Sequence, residues 1–120
     1  MAIGGDAAAQ LWNAASSGQL TMEPDAAREV AQAYLRFAAM CDEWVVDAER
    51  MVNVSGFGSL NSALSLQQGF SNKAIAAKQV LQQLATAARG MADGYLQAAG
   101  ILSEADQLNA DALSEIARQA

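Results

Sequence analysis

From Ala27 to Met51 the apolar residues return every three or four positions: Ala27, Val30, Tyr34, Phe37, Cys41, Trp44, Ala48 and Met51. Arg28, Glu29, Arg36, Glu43, Glu49 and Arg50 fall on other faces. A period near 3.6 with heptad character marks an amphipathic helix, and it predicts one over about 24–53. Pro24 suits the first turn, where a missing N–H is no loss, and Asp25 and Glu29 suit the positive end of the helix dipole. The same stepping returns in Phe70, Ala74, Ala77, Leu81, Leu84, Ala88, Met91, Tyr95, Ala98, Leu102 and Ala105. Leu108, Ala112 and Ile116 continue it with a small drift, which predicts a second long helix over about 60–118. Gly69, Gly90, Gly94 and Gly100 lie inside it at roughly 1 kcal/mol each. Because Ser103-Glu104-Ala105-Asp106 reads as a capping box, a break near Gly100 is the alternative to an unbroken helix.

Between the two periodic stretches, Val54-Ser55-Gly56-Phe57-Gly58-Ser59 reads as a tight reversal, with Ser59 or Asn61 as the cap of the second long helix. Before them, about 6–17 forms a short helix bearing Leu11 and Trp12, with Asp6 as N-cap and Gly18 just past its end. Such a helix is marginal alone and forms only if docked. The expected fold is therefore all-α and a single domain: an antiparallel helical hairpin with a short additional N-terminal helix. Folding about Gly56–Gly58 would carry Lys73 and Lys78 towards Leu35 to Glu43, close to Asp42. The last helix outruns the middle one, and the first helix with Trp12 is the nearest cover for its C-terminal half.

A hairpin also leaves apolar residues over. Leu35, Ala39 and Val46 lie off the seam of the middle helix, and Val80, Ala87 and Ile101 lie off that of the last. A second apolar stripe on each helix is what a four-helix arrangement needs, so dimerisation is expected to complete the bundle. Trp12, in a marginal element, and Phe57, between Gly56 and Gly58, are the candidate partner contacts.

Composition narrows the chemistry. Of 120 residues 52% are hydrophobic, and the 13 acidic against 7 basic residues give a formal charge of −6. Nucleic acid and anionic membranes call for a basic face, so neither is an expected partner. No apolar run approaches a membrane span, so no stable membrane insertion is expected. The start lacks the basic and apolar regions of a signal peptide. The chain is accordingly expected to be soluble, made in the cytoplasm, and exported, if at all, without such a peptide. There is no histidine, the commonest general base and metal ligand. No enzyme activity, cofactor or metal is expected. Asp42, Glu43, Asp47 and Glu49 read as a solvated acidic face rather than a two-metal site, which would also use histidine. Gly56-Phe57-Gly58 comes after a helix, not after the strand a phosphate-binding glycine loop requires. Ser16, Ser17, Ser55, Ser59, Ser62 and Ser65 have no histidine to activate them, and a serine–lysine pair with Lys73 or Lys78 has no evident pocket. Cys41 sits beside Asp42 and Glu43, which disfavour a thiolate, and on the apolar seam, so it reads as a buried spacer. Tyr34, Trp44 and Tyr95 read as seam residues.

Leu20-Thr21-Met22-Glu23-Pro24 before a long helix, a glycine-aromatic turn, and a second helix running to Ser103-Glu104-Ala105-Asp106 together resemble the WXG-type (early secreted antigen) hairpins. These are small helical substrates and accessory proteins of type VII secretion in actinobacteria. The resemblance covers about Leu20 to Ala120 and is closest to secretion-associated relatives with a Leu-Thr-x-x-Pro helix start. It implies a homodimer or heterodimer with another helical hairpin protein and contact with the secretion machinery. Two features depart from the family: Gly56-Phe57-Gly58 stands in place of Trp-x-Gly, and Tyr95 is followed four residues on by Ala99 rather than by Asp or Glu. The chain then either travels with a partner that carries the tail signal or stays inside the cell as a chaperone or adaptor for a co-encoded client.

Overall fold

The computed structural model describes residues 3–119. Met1 and Ala2, in the stretch read for a signal peptide, and Ala120, the end of the resemblance, lie outside the described residues. Four α-helices succeed one another, α1 (Gly5–Ser16), α2 (Pro24–Val52), α3 (Asn61–Ala98) and α4 (Ala105–Gln119), with one 3-10 turn at Leu102–Glu104. No strand occurs among the described residues.

The helix ends reflect local chemistry. Gly4, in a left-handed conformation, rather than Asp6, precedes α1, and Asp6 sits in the first turn, where its charge suits the dipole. Gly18, at φ +79, terminates that helix, and the Leu20 N–H donates to Ala14 O at 3.0 Å. Glu23 caps α2: its carboxylate accepts the N–H of Asp25 at 3.1 Å and of Ala26 at 3.0 Å. Those donors hold its pKa below the usual carboxylate range. Pro24 comes next, at the first helical position. Neither Ser59 nor Asn61 caps α3, whose N-cap is Leu60 with no side-chain bond.

α2 and α3 lie side by side in opposite directions. The Tyr34 and Tyr95 rings stack at 5.9 Å; Asp42 meets Arg89 at 2.6 Å and Glu49 meets Lys78 at 3.2 Å. The expected pairing of Lys73 and Lys78 with the Leu35–Glu43 stretch is therefore wrong in register. The cause is the connection, which is not a tight reversal. Residues 53–60 are open chain and at ~3.3 Å per extended residue reach about 25 Å. Phe57 lies against Phe70, ring centres 6.4 Å apart, so the first turns of α3 run beyond the end of α2.

The last helix is broken, not continuous. Gly100 takes φ +70, its N–H donates to Gln97 O at 3.0 Å, and the Ile101 N–H donates to Leu96 O at 2.9 Å. This is a Schellman stop. Ser103 makes no capping bond at this turn. Glu104 instead meets Arg28 through two oxygens, at 2.8 and 2.9 Å, and Glu115 meets Arg36 at 3.1 Å. α4 thus lies along the first half of α2 and runs the same way.

α1 lies along α3. A methyl group placed on Gly4, Gly90 or Gly94 would stand 3.0 Å from Ala87, 3.1 Å from Ala8 or 2.7 Å from Leu11, respectively. Numbers rise together, so the two helices are parallel. The whole measures 62 × 33 × 16 Å, and 16 Å is less than two helix diameters. In so thin a body the core is built mostly from alanine; Leu96 and Cys41 are its largest fully buried side chains.

Candidate interaction surface

The residues expected in the seam of α2 divide by size. Of the expected residues Ala27, Cys41 and Ala48 are buried, joined by Ala31 and Ala38, which lie outside the expected seam, whereas Phe37, Trp44 and Met51 stand exposed. Small side chains let α2 and α3 approach closely, and the large ones are pushed to the rim of the contact. Phe37, Trp44 and Met51 are spaced by seven, which puts them in one row on the helix. The expectation that Trp44 is a core residue is thereby corrected. Sequence reasoning placed this row in the core; the signal it passed over is the alternation of alanine-sized and aromatic-sized residues along one stripe.

The second apolar stripe is divided as well. Leu35 and Ala39 are 3% and 2% exposed: Leu35 shares a cluster with Ala31, Ala92, Leu96, Leu108 and Ala112. Both are therefore core residues of this chain and closed to a partner, because α4 folds back onto α2. Ile101 packs on the same cluster, and Ala87 is half-buried beneath Gly4. Val46 and Val80 remain at the surface.

Trp12 is exposed on α1. Phe57 is half-buried against Phe70 rather than projecting from a turn. Gly56 and Gly58 take φ +89 and +94 with open space around them, so conformation rather than crowding requires glycine there. Beyond them Leu60, Leu64, Leu66 and Phe70 are all exposed, on the stretch of α3 that outruns α2.

The candidate chemical groups are dispersed. Asp42 is engaged by Arg89, Asp47 by Arg50 at 3.6 Å and Glu49 by Lys78; Glu43 is exposed. Burial, and then Asp42, push the Cys41 thiol pKa up, which makes it a poor nucleophile at neutral pH. A polar recess of about 140 Å³ between α2, α3 and α4 is lined by Leu35, Arg89, Asp93, Ala105, Asp106 and Asn109. In it the Arg89 guanidinium is committed to Asp42 and, at 3.1 Å, to Asn109. An apolar groove of about 220 Å³ runs between α1, α2 and α3, with Gly4, Ala7, Phe37, Leu84 and Met91 among its walls. No helix among the described residues is long and apolar enough to cross a membrane.

Compared with known protein families, curated proteins and solved structures, the chain finds no match in any of the three. The surfaces themselves therefore carry the functional reading.

Proposed function

We propose that this chain is a non-enzymatic helix-packing protein, a WXG-like substrate or export partner of a type VII secretion system that works as a dimer of helical hairpins. The observation that carries the association half is the exposed row of large apolar side chains, Phe37, Trp44 and Met51, beside a thin alanine core. Contiguous apolar surface of this kind marks an interaction site. The secretion half rests on Leu20-Thr21-Met22-Glu23-Pro24, the glycine-aromatic link and Ser103-Glu104-Ala105-Asp106. Export is tested by comparing culture filtrate and lysate from a native host with and without its type VII motor ATPase, using a cytosolic protein as lysis control. Appearance in the filtrate only with the motor supports the proposal. Retention with the motor active on other substrates defeats it.

One observation favours a second reading, a cytosolic chaperone or adaptor for a co-encoded client. Tyr95 is stacked on Tyr34 within the helix contact and is followed by Ala99 at the spacing where an export tail carries an acid. An adaptor stays in the cell and is required for its client's solubility.

A further inference from the structure

The two long helices do not end together. Glu49 meets Lys78, so Val52, the last residue of α2, stands level with about Ile75. At ~1.5 Å per residue the part of α3 before that point projects about 20 Å beyond α2. The link 53–60 bears on it through Phe57, which lies against Phe70. Leu60, Leu64, Leu66 and Phe70 are nevertheless between 46% and 74% exposed, and Met51, in the last turn of α2, is 47% exposed. α1 stays clear of this end: the Ile3 N–H meets Gln83 Oε1, about 20 Å along α3 from Phe70.

The projecting end is marked in the sequence as well. From Met51 to Asn72 there are 22 successive residues without Asp, Glu, Lys or Arg, in a chain of which 17% is charged. A helix of this length is marginal alone. Here Gly69 weakens it by roughly 1 kcal/mol, Leu60 at its N-cap makes no side-chain bond, and no ion pair steadies it within that uncharged stretch. Burial of its leucines is the contribution left to hold it.

Area, charge and polarity together select a second copy. At about 200 Å² for a large residue, Met51, Leu60, Leu64, Leu66 and Phe70 hold roughly 500–600 Å² of apolar surface in water. One side of a stable interface buries about 800 Å², and about 65% of it is apolar in homodimers, or about 520 Å². The projecting end supplies that apolar share by itself. Copies of a chain carrying −6 repel one another along their bodies, whereas two of these ends meet without opposing any charge. A foreign partner is ordinarily selected through complementary charges, and this surface offers none. Ser62, Ser65, Gln67 and Gln68 lie among the leucines. A lipid interior would leave their polar groups unpaired, and a facing helix can bond them.

We infer that the projecting ends of two copies pair with each other, α3 against α3 and antiparallel, about a two-fold axis near Leu66. This rests on the helix-packing reading above and places the contact at one end of the molecule instead of along its length.

The test is sedimentation of the full chain over a range of concentrations, with small-angle X-ray scattering of the dimer. Each body is 62 Å long, so two copies overlapping by about 20 Å reach roughly 100 Å, whereas a side-by-side dimer stays near 62 Å. Leu66→Glu is expected to raise the dimer dissociation constant at least about tenfold, because it brings two like charges together in an apolar contact. Leu66→Ala, which favours the helix while removing apolar contact, is expected to raise it several-fold; this separates lost contact from a melted helix. Trp44→Glu, on the body of α2, is expected to leave it within about twofold. A chain monomeric at every concentration overturns the inference. So does a monomer that binds uncharged phosphatidylcholine vesicles through Leu66, since lipid then covers this end. A dimer near 62 Å long, or one broken by Trp44→Glu and not by Leu66→Glu, also overturns it but keeps the helix-packing reading. Type VII export is read separately in the culture filtrate, so the failure of one leaves the other standing.

Discussion

Leu11 rests on the bare backbone of Gly94: a methyl group there would stand 2.7 Å from both Cγ and Cδ2 of the leucine. Interior glycines weaken α3 by roughly 1 kcal/mol each, and at Gly90 and Gly94 the close approach of α1 is what the missing side chains permit. α1 buries a single residue, Ala15, so its attachment depends on that intimacy.

Gly94→Ala is accordingly expected to unseat α1, with a net loss of up to about 1–3 kcal/mol from overpacking. Gly69→Ala, in the same helix but with open space around it, is expected to stabilise by roughly 0.5–1 kcal/mol. Urea unfolding of both, with amide exchange over residues 5–16, decides the matter. A Gly94→Ala protein as stable as the parent with α1 still protected would contradict this packing.

Leu108 reports whether α4 is part of the core. It is 9% exposed and shares a cluster with Leu35 and Leu96. Leu108→Ala should cost about 2–4 kcal/mol, while Trp44→Ala, at a site in water, should stay within about 1 kcal/mol. Thermal unfolding of the two variants reads the difference. Equal losses would mean that the two surfaces have been assigned the wrong way round.

The all-helical character was legible because heptad spacing persists through α2 and α3 without a competing period. Gly18 and Pro24 marked their boundaries correctly, since each has one backbone role. Three features were not legible. Glu23 caps α2, yet glutamate is outside the usual cap set. Gly100 ends α3, but the apolar stepping continues across it, so periodicity alone favoured an unbroken helix. Once α4 turns back, Leu35 and Ala39 pass from a spare stripe to the core, while the close alanine contact of α2 with α3 leaves Phe37 and Trp44 at its exposed rim. Periodicity finds which residues are apolar on a helix; it does not say which of two flanks a later helix will cover.

Phe57 against Phe70 ties the open link to the overhanging turns of α3. Such an aromatic pair contributes about 0.5–1.5 kcal/mol beyond area burial, and here it acts locally. Phe57→Ala is expected to leave the melting temperature nearly unchanged while subtilisin cleavage within 53–60 becomes several times faster. Unchanged cleavage would show that the link does not depend on this contact.

Two carboxylates near the start of α4, Glu104 in the 3-10 turn and Asp93 on α3, should give pH responses of opposite sign. Hydrogen bonds from Arg28 hold Glu104 below its ordinary value of 4.5. A depressed folded pKa contributes stability that is present above that ordinary value and lost as pH falls through the folded one. Asp93 is raised above 3.8, first by burial and then by Asp106, and Arg89 beside it is already engaged by Asp42. For a raised carboxyl the relative stability is present below 3.8 and lost as pH rises through the folded value. At pH 7 Glu104→Gln should therefore lower the melting temperature and Asp93→Asn should raise it, each by a few degrees. Both differences should shrink on acidification, the first as the Glu104 carboxylate is protonated and loses its ion pair with Arg28, and the second as Asp93 takes up its proton. Melting curves from pH 3 to 7 test this directly. Shifts of the same sign, or an Asp93→Asn gain that persists at pH 3, would show that α4 does not meet α2 and α3 through these groups.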